Sequence, residues 1–345
     1  MSAPTVSAAP TLTALPPTDA PPTPTPLPAV IDADNFIGLA ASLSVAEGEM
    51  VRSLDYSPDG STLAVALGDQ AGTVQLFDTA TGVPFRTLAG HAGIVWDVAF
   101  SPDGRFLASS SKDATVKIWD WGSGTLLQSL PFPGEIGSVA FSPDSTTLAA
   151  GGVKQWPNAA IWTFAIPSWQ PQLELAEFWN IPAIVYSPDG ATIVGGGTSR
   201  NVRIWSALDG SEQHILYHAG QVSSLAISPD GSTVASGLCE QSTPGQCTLG
   251  AVWLWDIARG RLTAKLSDFG EGVAAVAYSP GGSLLVAVSP TGEVRAYTTS
   301  DYQPLHSFSA AGTSPARILA MAFSPDGRWL ATGGIGGIQL WSVRP

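Results

Sequence analysis

An all-β protein of seven like units is expected from this 345-residue chain, on three observations. The first is composition. Gly (37) and Pro (28) supply many turns, apolar residues make up 44% of the chain, and only 12% of residues are charged. That charged share is about half the roughly 25% usual in soluble domains. The second is a recurring tetrapeptide. Ser-Pro-Asp-Gly, or a near copy, starts at Ser57, Ser101, Ser142, Ser187, Ser228, Ser279 and Ser324, at spacings of 44, 41, 45, 41, 51 and 45 residues. The third is that short runs of alternating apolar and polar residues flank each copy, which is the period of a strand.

Each unit contains four such runs. The first precedes the tetrapeptide, as Val51-Arg52-Ser53-Leu54-Asp55-Tyr56 does in unit one. The second follows it, as Thr62-Leu63-Ala64-Val65-Ala66 does. The third ends in an aromatic: Phe77, Trp119, Trp162, Trp205, Trp255, Tyr297 and Trp341 in the successive units. The fourth, such as Pro84-Phe85-Arg86-Thr87-Leu88, leads into the next unit. Within the tetrapeptide, Pro presets the second turn position, Asp tolerates the third, and Gly takes the one that needs conformational freedom. Its plain role is to turn a hairpin.

Seven units of this length, with Gly-His, Ser-Pro-Asp-Gly and Trp-Asp, resemble the WD40-repeat β-propellers. Unit two matches best, with Gly90-His91, Ser101-Pro102-Asp103-Gly104, Leu107-Ala108-Ser109, Asp113 and Ile118-Trp119-Asp120. The resemblance covers residues 38–343. It implies a seven-bladed β-propeller of four-stranded antiparallel blades. It also implies a hydrogen-bonded structural tetrad of His91, Ser109, Asp113 and Trp119. The other units depart from that set. Unit five keeps His218, Ser236 and Trp255 but has an insertion where Asp belongs, and unit six has Gly281 in the tetrapeptide where Asp is expected. Six blades are therefore expected to depend on packing more than on this network. The resemblance implies a protein that nucleates complexes, although a fold of this kind does not fix a function.

The third run of unit seven ends the repeat, so that blade lacks an outer strand. Leu39–Val45 has the pattern of one and is expected to close the ring, removing an open sheet edge. Residues 1–35 read as a disordered Pro/Thr-rich linker or stalk, and residues 36–345 as the propeller. The linker holds Pro4, Pro10, Pro16, Pro17, Pro21, Pro22, Pro24, Pro26 and Pro28, a composition that favours extended chain over a packed core. Cys239 and Cys247 flank the insertion of unit five. Either they form a disulfide that staples an exposed loop, or they remain two thiols. The stalk, the scarcity of lysine and the disulfide reading favour an extracytoplasmic or secreted protein, held at a cell surface by a signal since removed. A cytoplasmic protein is the alternative.

Fifteen basic against 28 acidic residues give a net charge of −13. That balance argues against nucleic acid or anionic lipid as the main partner, and no apolar run reaches the roughly 18 residues of a membrane span. No phosphate loop, nucleophile elbow, His-Glu-x-x-His or calcium loop appears, so no cofactor, metal site or catalytic residue is expected. Of 12 tryptophans, six sit at repeated positions. Trp96, Trp156 and Trp179 do not. With Phe178 they are expected on the face that carries the loops between second and third strands. There they either form an exposed aromatic patch or fold back over the blades. Arg52, Trp96, Trp156, Phe178 and Trp179 are the candidate contact residues. The expected function is a non-catalytic protein–protein interaction platform for a protein or peptide partner. The alternatives are a ligand- or carbohydrate-binding cell-surface propeller and a propeller enzyme with an unrecognised channel site.

Overall fold

The computed structural model describes residues 30–31, 39–45, 50–68, 72–178, 180–243, 246–310 and 317–343. They form seven four-stranded antiparallel sheets, the blades of a β-propeller. In blades 1 to 6 the strands run inner, second, third and outer in chain order. Blade 7 takes its outer strand from the other end of the chain. Leu39–Val45 lies antiparallel to Gly337–Val343, with Leu39 opposite Val343 and Val45 opposite Ile338. The ring is thus closed by an N-terminal strand.

The inner strands are Val51–Tyr56, Val95–Phe100, Ile136–Phe141, Ala183–Tyr186, Val222–Ile227, Ala275–Tyr278 and Ile318–Phe323. They surround a central channel, and the strand of blade 1 packs on that of blade 7. Second strands are covered on both faces and are buried along their length, as Leu107–Ser111 and Leu284–Val288 are. Outer strands face solvent, as Thr125–Pro131 does. The core accordingly lies between blades. One apolar cluster joins blades 1 and 2 through Leu76, Leu88, Val95 and Trp119, and another joins blades 7 and 1 through Val51, Leu54, Ala331 and Leu340. Each fully buried Leu or Val contributes about 1.5–3 kcal/mol.

The repeated tetrapeptide performs the turn its residues suggest. Ser57 Oγ donates to Asp59 Oδ1 (2.6 Å) and accepts from the Thr62 amide (2.9 Å), while the Gly60 amide donates to the Ser57 carbonyl (2.7 Å). Gly60 has φ +71°, which favours glycine. The turns also touch one another. A Cβ on Gly60 would lie 3.7 Å from the ring of Pro325 in the preceding blade, and Gly190 and Gly231 meet Pro143 and Pro188 in the same way. A hairpin motif is therefore also an inter-blade contact.

The loop faces differ. Hairpins of blades 3 and 5 are tall, with second and third strands reaching Gln155 and Asn158 in blade 3 and Thr243 and Gln246 in blade 5. In blade 4 the same strands stop at Gly196 and Asn201. Phe178 is the last residue of an outer strand, paired with Asn158.

Most of the expected linker lies outside the described residues. At its far end, however, Ile31 is only 1% exposed. Its amide donates to the Gly327 carbonyl (2.8 Å), and its side chain joins Leu284, Val286, Val294 and Trp341 between blades 6 and 7. Gly327 belongs to the Ser-Pro-Asp-Gly turn of blade 7, so the chain enters the propeller on the turn face.

Candidate functional site

The channel mouth is built by bulges. In five inner strands the register against the second strand slips at the second residue: Arg52, Trp96, Gly137, Ser223 and Leu319. A bulge leaves one residue unpaired and re-aims its side chain. All five line one cavity of about 1060 Å³ that opens among the loops between second and third strands. In blade 3 the bulge residue has no room for a side chain, because a Cβ on Gly137 would stand 2.9 Å from the Ile181 carbonyl oxygen.

Arg52 and Trp96, two of the residues singled out from sequence, come together here. The Arg52 guanidinium lies over the Trp96 ring, 4.8 Å from its centroid, a contact worth about 0.5–2 kcal/mol. Gly68 also packs close to Arg52, since a Cβ there would come within 2.9 Å of Arg52 Nε. That Nε is buried and has no hydrogen-bond partner among the described residues. Arg317 of blade 7 lines the same cavity. Burial, and then the neighbouring Arg317 charge, hold Arg52 below the ordinary arginine value. Further round the rim stand Glu135, Asn180, Gln221 and Glu271.

The disulfide also belongs to this rim. Cys239 and Cys247 are bonded and line the cavity, and Gly272 packs against Cys247 Sγ. Trp156 is at the tip of the blade 3 hairpin, 66% exposed, and does not line the cavity. The Phe178 side chain and the whole of Trp179 lie outside the described residues.

Below the mouth two carboxylates, not singled out from sequence, stitch blades together. Asp97 Oδ1 accepts from Ser53 Oγ of blade 1 (2.6 Å) and its own Val98 amide (3.0 Å). Its Oδ2 accepts from Ser138 Oγ and the Val139 amide of blade 3 (both 3.0 Å). Asp55 Oδ2 accepts from the Phe100 amide of blade 2 (2.8 Å). The series continues where Ser138 Oγ accepts from the Ile184 amide and Ser224 Oγ from the Val276 amide. The available signal was a polar residue at the third place of the inner run: Ser53, Asp97, Ser138 and Ser224. Burial pushes the Asp55 carboxyl up to about 7; the Phe100 amide opposes that shift and the nearby Asp97 adds to it. Burial also raises Asp97.

Away from the mouth, the blade 2 tetrad assembles as a network. His91 Nδ1 meets Asp113 Oδ2 (3.0 Å), and His91 Nε2 meets Ser109 Oγ (2.8 Å). The Trp119 indole donates to the same Ser109 Oγ (2.9 Å). These contacts fit a neutral imidazole protonated at Nδ1, as does burial, which lowers His91 against the opposing pull of Asp113. Blade 5 corrects one expectation. It keeps the network without an aspartate, because His218 Nδ1 donates to the Leu216 carbonyl (2.9 Å). His218 Nε2 lies 2.7 Å from Ser236 Oγ and 3.1 Å from the Trp255 indole nitrogen. A backbone oxygen takes the role of the missing carboxylate, so five blades rather than six lack this set. Among the described residues no cluster of three or more His, Cys, Asp or Glu side chains is arranged to hold a metal. No helix there is long and apolar enough to cross a membrane.

Known proteins supply the comparison. The family model for WD domain, G-beta repeat matches residues 82–120, 124–154, 176–206, 210–248 and 302–342. The chain is also 26% identical over 195 residues to the target of rapamycin complex subunit wat1 of Schizosaccharomyces pombe. That match covers 54% of this chain and 60% of the relative, so the chain spans less than two thirds of the relative's length. Five matched repeats cover more than half of a chain that closes seven blades of this topology: it belongs to the WD40-repeat family.

Proposed function

We propose that the protein is a non-catalytic platform that holds a protein or peptide partner over the channel mouth. The observation that carries the reading is the rim itself: a cavity of about 1060 Å³ lined by Arg52 and Trp96, with an arginine pinned on an indole. Aromatic and arginine side chains at the edge of a concavity are the usual anchors of interfaces. Two further points support it. The channel carboxylates Asp55 and Asp97 are engaged in joining blades. The similar protein from fission yeast is, by its name, a subunit of a complex.

The test is site-specific photo-crosslinking in the source cells. A crosslinking amino acid would replace Gln221 on the rim of the mouth, or Leu127 on an exposed outer strand. A partner captured from the mouth position and not from the outer strand is the expected result. Equal capture from both, or from neither, overturns the reading.

We also propose that the protein works in an oxidising, extracytoplasmic compartment. The Cys239–Cys247 bond supports this, since such bonds persist where thiols are not kept reduced. Maleimide labelling of freshly lysed cells would leave the chain unlabelled until a reductant is added. Immediate labelling of two thiols sinks the idea.

A further inference from the structure

We infer that the channel mouth takes an anionic group carried on a peptide, a carboxylate or a phosphate, between the guanidinium groups of Arg52 and Arg317 with Trp96 as its wall. The inference rests on the platform reading and names the chemistry of the partner.

Arginines among the described residues are of two kinds, those paired with a carboxylate and those without one. Acidic residues outnumber basic ones, 28 to 15, so a neutralising carboxylate is readily available. Arg203 pairs with Glu212, Arg259 with Asp256, Arg295 with Glu293 and Arg328 with Asp326. At the mouth Arg52 and Arg317 line one cavity from adjacent blades. Neither has a carboxylate partner among the described residues. Two neighbouring cations without an anion repel, and an arriving oxyanion relieves that repulsion while forming charge-assisted hydrogen bonds.

The site is also preorganised. Arg52 is held against the Trp96 ring and close to Gly68, so little side-chain entropy remains to be lost on binding. Its buried Nε has no partner. Guanidinium groups suit the planar fork of a carboxylate and the oxygens of a phosphate equally well. Glu135 of blade 3 and Glu271 of blade 6 line the same cavity on either side of the arc formed by blades 7, 1 and 2. They repel an anion at the two ends of that arc.

The experiment titrates fluorescein-labelled octapeptides of one Gly/Ser/Tyr background into the full chain. One carries three internal glutamates and an amidated end, one a free terminal carboxylate and neutral side chains, and one a phosphoserine and an amidated end. A neutral, amidated peptide gives the background. At least one anionic peptide is expected to bind about ten-fold more tightly than the neutral one, and which one does so identifies the source of the anion. Arg52→Gln and Arg317→Gln should each abolish most of that difference, and added salt should weaken it. Melting curves check that the variants fold. Gly68→Ala, which crowds Arg52 without removing charge, gives a second variant expected to weaken binding. The inference is overturned if no anionic peptide exceeds the neutral one, or if the folded arginine variants bind as the wild type does. A mouth-specific crosslinked partner whose capture survives both arginine substitutions would overturn it while leaving the platform reading intact. Anionic peptide binding without any mouth-specific partner would do the reverse.

Discussion

Individual buried groups make the molecule's response to pH legible, and two of them act in opposite directions. Burial pushes His218 down to about 4, so the folded chain favours neutral imidazole. Its contribution is complete above the unfolded histidine value of about 6.5 and is lost as pH falls towards 4. Asp55 runs the other way. Its folded value, about 7, lies above the unfolded carboxylate value of about 3.9. The stability linked to its proton is complete below about pH 4 and is lost as pH rises through 7. Asp55→Asn keeps an acceptor for the Phe100 amide and removes the charge. The substitution should stabilise the protein by about 1–3 kcal/mol at pH 8, with the gain shrinking on acidification and vanishing near pH 4. Urea titrations at several pH values measure this, and a gain independent of pH would show that the carboxylate charge is not its source.

Among the elements, the closing strand and the blade 5 hairpin give contrasting expectations. Removing residues 36–47 deletes Leu39–Val45 and bares the edge of Gly337–Val343. Gel filtration should then find aggregated or oligomeric protein, and a monomer with unchanged melting would contradict the closure. The disulfide, by contrast, joins residues at the end of a single hairpin. Replacing both cysteines by serine should increase protease cleavage within 240–246 and leave global melting within a few degrees. How readily each element could be foreseen follows the same division. Ser-Pro-Asp-Gly turns are local chemistry, so their hairpins were legible residue by residue, and counting strands exposed the gap in blade 7. Bulges were not legible, because a register slip at Arg52 or Trp96 is a relation between two strands. Asp97 looked like one more polar residue because its partners Ser53 and Val139 sit 44 and 42 positions away. Arg317 escaped notice for the same reason: only ring closure brings it beside Arg52.

Across the whole molecule, cores that lie between blades make the ring the folding unit, since no blade buries its own faces. The docking of Ile31 adds a direction to that ring. Inner strands run from the mouth, at Arg52, to the Ser-Pro-Asp-Gly turns, at Tyr56, and Ile31 is fastened at one of those turns by the Gly327 carbonyl. Val30 and Ile31 therefore lie on the face opposite the mouth. Protein immobilised through its first residues should bind the anionic octapeptides as well as protein free in solution does. Coupling through a cysteine placed at Trp156 should obstruct them, and surface plasmon resonance distinguishes the two. A single buried isoleucine thus gives the disc a front and a back: Ile31 is fastened at the back, and the arginine-lined opening faces the other way.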